Sequence, residues 1–309
     1  MKIAFLINSK ILNYKKNISE IEVVFRGEDY TIFSSDYKAH LTELAKNCVE
    51  QGYKTLIAVG GDGTLNEVLN GLITAFTKDK IVNWEQVATI KLGVLPLGSG
   101  NDFIKNFEEK ISLMKIKELI NSNKNQLIDI GFADFFDQNG KQKNRYFHNI
   151  TDLGMGAETM ICKERLPIWL GGNFRYFYSI LSTFLNYKKQ IITVDSADFK
   201  WRGEILNLVI ANGKFFGNGL GIAPNASVND GFFDITIIGN VSLLDYAKNL
   251  AKVKKALPIS HSEISYYKTK EIKFLAENSE KIAIDMDGEV VGFVPIKLTC
   301  LHQKINFLA

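Results

Sequence analysis

The stretch LIAVGGDGTLNEVLNGL, residues 56–72, sets Gly60, Gly61, Asp62 and Gly63 between an apolar run and a helical pattern. Glycine costs backbone entropy, so this concentration must serve a close approach. A loop that opens a helix turns N–H groups toward anions, phosphate above all. Thr64 can cap that helix or bond a phosphate oxygen. Asp62 is the odd member. A carboxylate beside phosphates is repulsive unless a cation lies between them. Mg²⁺ is the natural mediator, because it is held by one or two carboxylates plus substrate phosphates and water. The plainer reading is a tight turn with Asp62 as turn former.

A second loop has the same plan. In LGVLPLGSGNDFIKNF, residues 92–107, a buried run ends at Pro96 and is followed by Gly98, Ser99, Gly100, Asn101 and Asp102. Ser99 supplies a hydroxyl, and Asn101 or Asp102 can cap the next helix. Two such loops at the carboxyl ends of neighbouring strands would meet over one crevice. Neither is GxGxxG with a ribose-binding acid, nor GxxxxGK[ST], so a standard dinucleotide fold and a P-loop are disfavoured. A third set lies in IAIDMDGEVVG. There Asp285, Asp287 and Glu289 alternate and would share one face of a continuing strand, unless Gly288 breaks it and re-aims Glu289. A plain hairpin turn with solvated charges is the alternative. The four histidines, His40, His148, His261 and His302, show no metal-ligand spacing.

The elements that must carry these loops are set by periodicity. Ile3–Ile7, residues 30–33, 55–59 and 92–96 read as short apolar strands. Leu41, Leu44, Ala45, Cys48 and Val49 give one helical face between them, and Leu65, Val68, Leu69, Leu72 and Ile73 another. Repeated βα units predict a doubly wound parallel sheet. After about residue 125 strand-like runs come one after another with two helical patterns between them, which predicts an antiparallel β-sandwich. The expected division is 1–128 and 129–309, with the last residues free to return to the first domain. The stripe Phe174, Phe177, Tyr178, Leu181 and Leu185 reads as a helix packed on the sandwich core, with an apolar entry for acyl chains as the other reading. Lys188 and Lys189 read as a solvated face that could meet anionic head groups.

Bulk properties set the frame. The chain has 309 residues, 46% hydrophobic and 23% charged, with a formal net charge of +3. That charge is too weak and too scattered to argue for nucleic acid. Cys48, Cys162 and Cys300 imply no disulfide framework, and a reducing compartment is the simple expectation. No apolar run approaches a membrane span, so a cytoplasmic protein is expected.

The segments GGDGTLNEVLNGL, GVLPLGSGNDF, ANGKFFGNGLGIAPNASVNDGFFDITII and MDGE, in this order, resemble the diacylglycerol kinase catalytic-domain family in its soluble bacterial, YegS-like branch. The resemblance covers nearly the whole chain. It implies an N-terminal α/β nucleotide-binding domain like that of NAD kinases, a C-terminal β-sandwich, and transfer of the ATP γ-phosphate to diacylglycerol or a related lipid alcohol. It implies nucleotide contacts at Asn8, Ser34, Gly61, Asp62, Gly63, Thr64, Leu65, Asn66, Glu67 and Ser99, with Ser35 an alternative to Ser34. It implies Mg²⁺ held by the Ser227 carbonyl, the Asp230 carboxylate and the Phe232 carbonyl, where an ordinary β-turn is the other reading. It makes Glu289 the general base and Asp62 its partner in catalysis, with Asp287 orienting Glu289 or forming the turn. The expected partner is a lipid at a membrane surface, met by transient peripheral contact, and a homodimer is left open. The competing functions are an NAD kinase, which GSGNDF and the NE after GGDGTL disfavour, and a non-catalytic nucleotide- or lipid-binding regulator.

Overall fold

The computed structural model describes residues 2–277 and 281–309. They form two compact units, Met1–Ile130 with His302–Ala309, and Gly131–Leu301.

In the first unit, strands β1 (Ile3–Ile7), β2 (Tyr30–Ser34), β3 (Thr55–Gly60) and β4 (Lys91–Pro96) run parallel in the order β2-β1-β3-β4. Asn306 and Phe307 add a parallel pairing beside β4. β1 and β3 are buried along their whole length, as central parallel strands must be. The helices of this unit include α1 (Tyr14–Val24), α2 (His40–Glu50), α3 (Asp62–Ala75) and, after β4, α4 (Leu113–Asn121). α2 buries Leu41, Ala45, Cys48 and Val49, the face its spacing predicts. Phe5 meets Phe25 edge-to-face, with ring centroids 4.9 Å apart, in a core that also takes Ile57, Val59 and Leu119. The returning C-terminal residues are held by the buried Asp129, whose carboxylate accepts the Gln303 N–H at 2.6 Å and meets His302 Nδ1 at 2.9 Å.

The second unit takes its strands from β5 (Gln126–Phe136), β6 (Gln142–Phe147), β7 (Ile150–Gly154), β8 (Gln190–Ser196), β9 (Lys200–Ile205), β10 (Asn207–Ala211), β11 (Phe233–Ile238), β12 (Ile264–Thr269), β13 (Glu271–Ala276), β14 (Ala283–Met286) and β15 (Glu289–Phe307). They build two antiparallel arms that share β15. One arm runs β12-β11-β10-β7-β14-β15 and the other β9-β8-β13-β15-β5-β6. The core between them includes Phe147 stacked on Phe233 at 5.6 Å, with Phe274, Ile284 and Leu298. The helices are α5 (Met155–Arg165), α6 (Gly172–Asn186) and α7 (Leu243–Lys254), the last opened by a Ser242–Asp245 capping box.

One expectation about packing is overturned. The stripe Phe174, Phe177, Tyr178, Leu181 and Leu185 does lie on a helix, α6, but it faces outward and all five side chains are exposed. Among the described residues, the buried positions of α6 are Ser179 and Thr183. Helical spacing settles which residues share a face, and says nothing of which face meets the protein.

Candidate active site

In the first unit β3 and β4 end side by side, with Gly60 opposite Pro96. The glycine loops beyond these ends touch each other. A Cβ on Gly98 would lie 2.4 Å from the Gly61 Cα, so no larger residue fits there. Asn101, at φ 50°, ties the second loop to itself by accepting the Gly98 N–H and donating to the Pro96 and Gly98 carbonyls. Asp62 joins the two loops. Its Oδ2 accepts the Asp102 N–H at 2.9 Å and its Oδ1 the Phe103 N–H at 3.1 Å. Those amides open the short 3₁₀ turn Phe103–Asn106, so Asp62 does the capping expected of Asn101 or Asp102.

The start of α3 differs from the expected cap. Gly61 is its N-cap, and no side chain caps it. Thr64 lies inside the first turn, where its hydroxyl meets Asn8 Nδ2 at 3.4 Å. The N-cap glycine of α3 offers the first turn no side-chain acceptor, in a helix whose dipole favours an anion at that end. Gly63 adds open space beside this turn, because a Cβ there would meet nothing within 4 Å.

The other expected nucleotide residues divide. Asn8 comes directly after β1 and reaches Thr64, and Ser99 is exposed on the second loop. The Ser34 hydroxyl is paired with the Tyr14 hydroxyl. The neighbouring Ser35 accepts the Ser9 N–H at 3.2 Å, so Ser35 is the serine that faces the turn after β1. Leu65 and Asn66 are buried within α3. The Glu67 carboxylate accepts the Ala39 and Leu41 N–H groups and so caps α2.

In the second unit Asp287 and Gly288 form the two-residue turn between β14 and β15, both at positive φ. A turn of that kind breaks the strand, so Glu289 pairs opposite Met286 and does not share a strand face with Asp285. Glu289 Oε2 lies 2.7 Å from Arg145 Nη2. The Asp287 carboxylate turns toward residues 148–150, accepting the N–H groups of His148, Asn149 and Ile150 at 3.0–3.1 Å and meeting His148 Nδ1 at 2.8 Å. Burial pushes its pKa up, but the His148 charge and these hydrogen bonds outweigh burial and hold it below the ordinary carboxylate value.

Behind this turn Asp285 on β14 pairs in register with Asp152 on β7. Both side chains are buried, and each has an Oδ1 without a hydrogen-bond partner. Burial first, then the Asp287 charge, pushes Asp285 up to about 7. Burial and the Asp285 charge raise Asp152. Gly156 makes room for this pair, since a Cβ there would lie 2.2 Å from Asp152 Oδ1.

The expected magnesium residues lie in the loop before β11. Asp230 Oδ1 accepts the Phe232 N–H at 3.1 Å, and Gly231 sits at φ 80°. Asp230 Oδ2 is 2.6 Å from Lys268 Nζ, which also approaches Asp234 at 3.7 Å. The Ser227 hydroxyl donates to Asn229 at 3.0 Å. An all-oxygen set of one carboxylate and two carbonyls suits Mg²⁺. Burial raises the pKa of Asp234, and Lys268 is the cation beside both carboxylates. Among the described residues no group of three or more His, Cys, Asp or Glu could hold a metal.

Residues 2–133 match the family described as the diacylglycerol kinase catalytic domain, and residues 153–309 match the YegS C-terminal NAD kinase beta sandwich-like domain. The chain belongs to the YegS-like diacylglycerol kinase family. It is 24% identical to a diacylglycerol kinase of Staphylococcus carnosus over 95% of this chain and 89% of that one. It is 25% identical to a diacylglycerol kinase of Bacillus subtilis over 95% and 90%. The crystal structure of a Bacillus anthracis diacylglycerol kinase superposes with a TM-score of 0.69 at 19% identity, covering 99% of this chain and 96% of that one. Yeast NADH kinase superposes with a TM-score of 0.52 at 9% identity, covering 99% and 82%, a likeness of fold alone.

Membership makes the chain a lipid-kinase type of phosphotransferase at the level of the family. Within this YegS-like kinase, four residues around the turn escaped sequence reasoning: Arg145, His148, Asp152 and Gly156. Three of them lie between residues 145 and 152, where alternating apolar residues read only as strand. Asp152 in NITDLGMG had one usable signal, an acid inside an otherwise apolar strand, which must find a partner or a proton.

Proposed function

We propose that this kinase transfers the γ-phosphate of ATP, with Mg²⁺, to the hydroxyl of diacylglycerol or a closely related lipid alcohol. The observation that carries this reading is the pair of glycine loops joined through Asp62, with the glycine-capped N-terminus of α3 beside them. The amides of that N-terminus bind phosphate oxygens without contributing negative charge of their own, and the Asn101 network keeps the loops rigid. Asp62, at the junction of the two loops, would accept from water bound to a cation there. When bound, Mg²⁺ supplies neutralisation of the charge on the transferring phosphoryl group. Ser227, Asp230 and Phe232 would hold a second, structural ion once Lys268 moves aside.

Glu289 accepts the proton of the acceptor hydroxyl as the oxygen bonds to phosphorus and the bond to the ADP oxygen breaks. The Arg145 guanidinium holds the Glu289 carboxylate in one place. A weak base suffices, because phosphoryl transfer depends mainly on positioning and charge neutralisation.

The test is ADP release from ATP with dispersed short-chain diacylglycerol, with NAD, or with neither, each with Mg²⁺ and with EDTA. The expected result is release that requires both the lipid and Mg²⁺. Equal or faster release with NAD would overturn the assignment.

A further inference from the structure

Helix α6 is built inside out. An ordinary surface helix turns its apolar stripe to the core and its polar face to water. Here Ser179 and Thr183 are buried at 0% and 8% exposure, while Phe177 is 66% exposed, Leu185 69%, Phe174 54% and Tyr178 46%. Just before the helix Trp169 stands 82% exposed. Contiguous apolar surface of this kind on a water-facing helix marks an interaction site.

Charge identifies the partner. Residues 165–189 carry Arg165, Arg175, Lys188 and Lys189 and no acidic residue. Arg165, the last residue of α5, and Lys188, just beyond the end of α6, are exposed, and the acid next to Arg165 is Glu164. Arg175 is turned inward, donating to the Lys163 carbonyl. Aromatic residues with cations at the flanks suit the boundary between head groups and acyl chains, where Trp and Tyr concentrate. The helix has 15 residues, short of the ~20 needed to cross a bilayer. Among the described residues no helix is long and apolar enough to span one. A short helix with this stripe lies in the interface plane.

We propose that the outward face of α6, with Trp169, docks this kinase onto an anionic lipid bilayer surface. The identity of the partner rests on the lipid-kinase reading of the active site. The stripe enters the acyl boundary, and Arg165 and Lys188 meet anionic head groups.

The experiment is co-sedimentation of the full chain with vesicles of phosphatidylcholine mixed equally with phosphatidylglycerol, and with phosphatidylcholine alone. Wild type should bind the anionic vesicles more tightly, with a blue shift of Trp169 fluorescence that a Trp169→Phe control removes. The double variant Trp169→Ser/Phe177→Ser changes only exposed side chains. It should lose at least ~10-fold in vesicle affinity and keep wild-type turnover on dispersed short-chain diacylglycerol. Arg165→Ser/Lys188→Ser should lose mainly the preference for anionic vesicles. Wild type that ignores both vesicles would overturn the proposal. So would a wild-type dimer that the Trp169→Ser/Phe177→Ser pair turns into a monomer, because the face would then be a subunit interface. Vesicle binding without turnover on any dispersed lipid would leave the docking surface standing and sink the lipid-kinase reading instead.

Discussion

In the first unit Asp62 and Glu67 give both carboxylate oxygens to backbone N–H groups, one pair opening a 3₁₀ turn and the other opening α2. In the second unit Asp152 and Asp285 face each other in a buried register, with an oxygen on each left without a partner. The first arrangement spends charge on shape, since a carboxylate that accepts two amides sets the position of two chain segments at once. The second keeps protons in play, because two buried carboxylates side by side cannot both ionise cheaply. Between these extremes stand Glu289 with Arg145 and Asp287 with His148, each an acid with one nitrogen-bearing side-chain partner. The difference teaches that an acid's role is read from its partners and its burial, not from the motif that contains it.

The largest expected effect is at Asp62, where the contrast can be broken outright. Asp62→Ala should abolish measurable transfer, and it should also cost stability on the order of 1–3 kcal/mol, because two amides lose their acceptor. Asp62→Asn keeps one carbonyl oxygen for those amides and should recover part of the melting temperature without recovering turnover. Near-normal turnover of Asp62→Asn at saturating Mg²⁺ would make Asp62 a purely structural acid.

Glu289→Gln comes next. Turnover should fall by roughly 10²- to 10⁴-fold while the KM for ATP barely changes. If the KM for ATP rises and turnover survives, Glu289 belongs with nucleotide binding. Asp287 is then a poor substitute as base, since His148 and three backbone amides occupy its carboxylate.

A smaller effect is expected at Lys268. Lys268→Met removes the ammonium that holds Asp230 and that also approaches Asp234. The variant should melt lower than wild type without metal and gain more from added Mg²⁺, while Asp230→Ala should show no such gain. Identical Mg²⁺ responses in all three proteins would remove the ion from this loop.

The smallest effect sharpens the second half of the comparison. The folded-state pKa of Asp285 is raised to about 7, so the unfolded chain gives up this proton first as pH rises. Its contribution to stability is full below the ordinary carboxylate value and is lost as pH rises through about 7. Wild type should therefore melt lower at about pH 8 than at about pH 5, and Asp285→Asn, which cannot ionise, should reduce that difference by several degrees. An unchanged pH profile would mean that Asp285 is not protonated in the folded protein.

The family, the parallel α/β sheet and the sandwich were all legible in the sequence, because each rests on local pattern. Buried runs such as Ile3–Ile7 and Thr55–Gly60, the glycine loops after β3 and β4, and the Asp287–Gly288 turn arise from the torsional demands of a few adjacent residues. The partners escaped. Asp62 and Phe103 are 41 residues apart, and Asp287 and His148 are 139 apart. No local pattern carries such distances. Ser34 and Ser35 are adjacent in sequence, and only the fold pairs Ser34 with the Tyr14 hydroxyl and turns Ser35 to the Ser9 N–H.

By itself, then, the sequence determined which residues could share a face or a turn, since side-chain period and allowed dihedrals are properties of the chain alone. Only the tertiary structure decided where those faces point and which charges meet. The α6 stripe shows the division. Its spacing made Phe174, Phe177, Tyr178, Leu181 and Leu185 neighbours, and the packing that buries Ser179 and Thr183 turned them outward. Burial is a property of the assembled elements, and it is burial that decides whether an apolar face becomes core or surface and whether an aspartate keeps its proton.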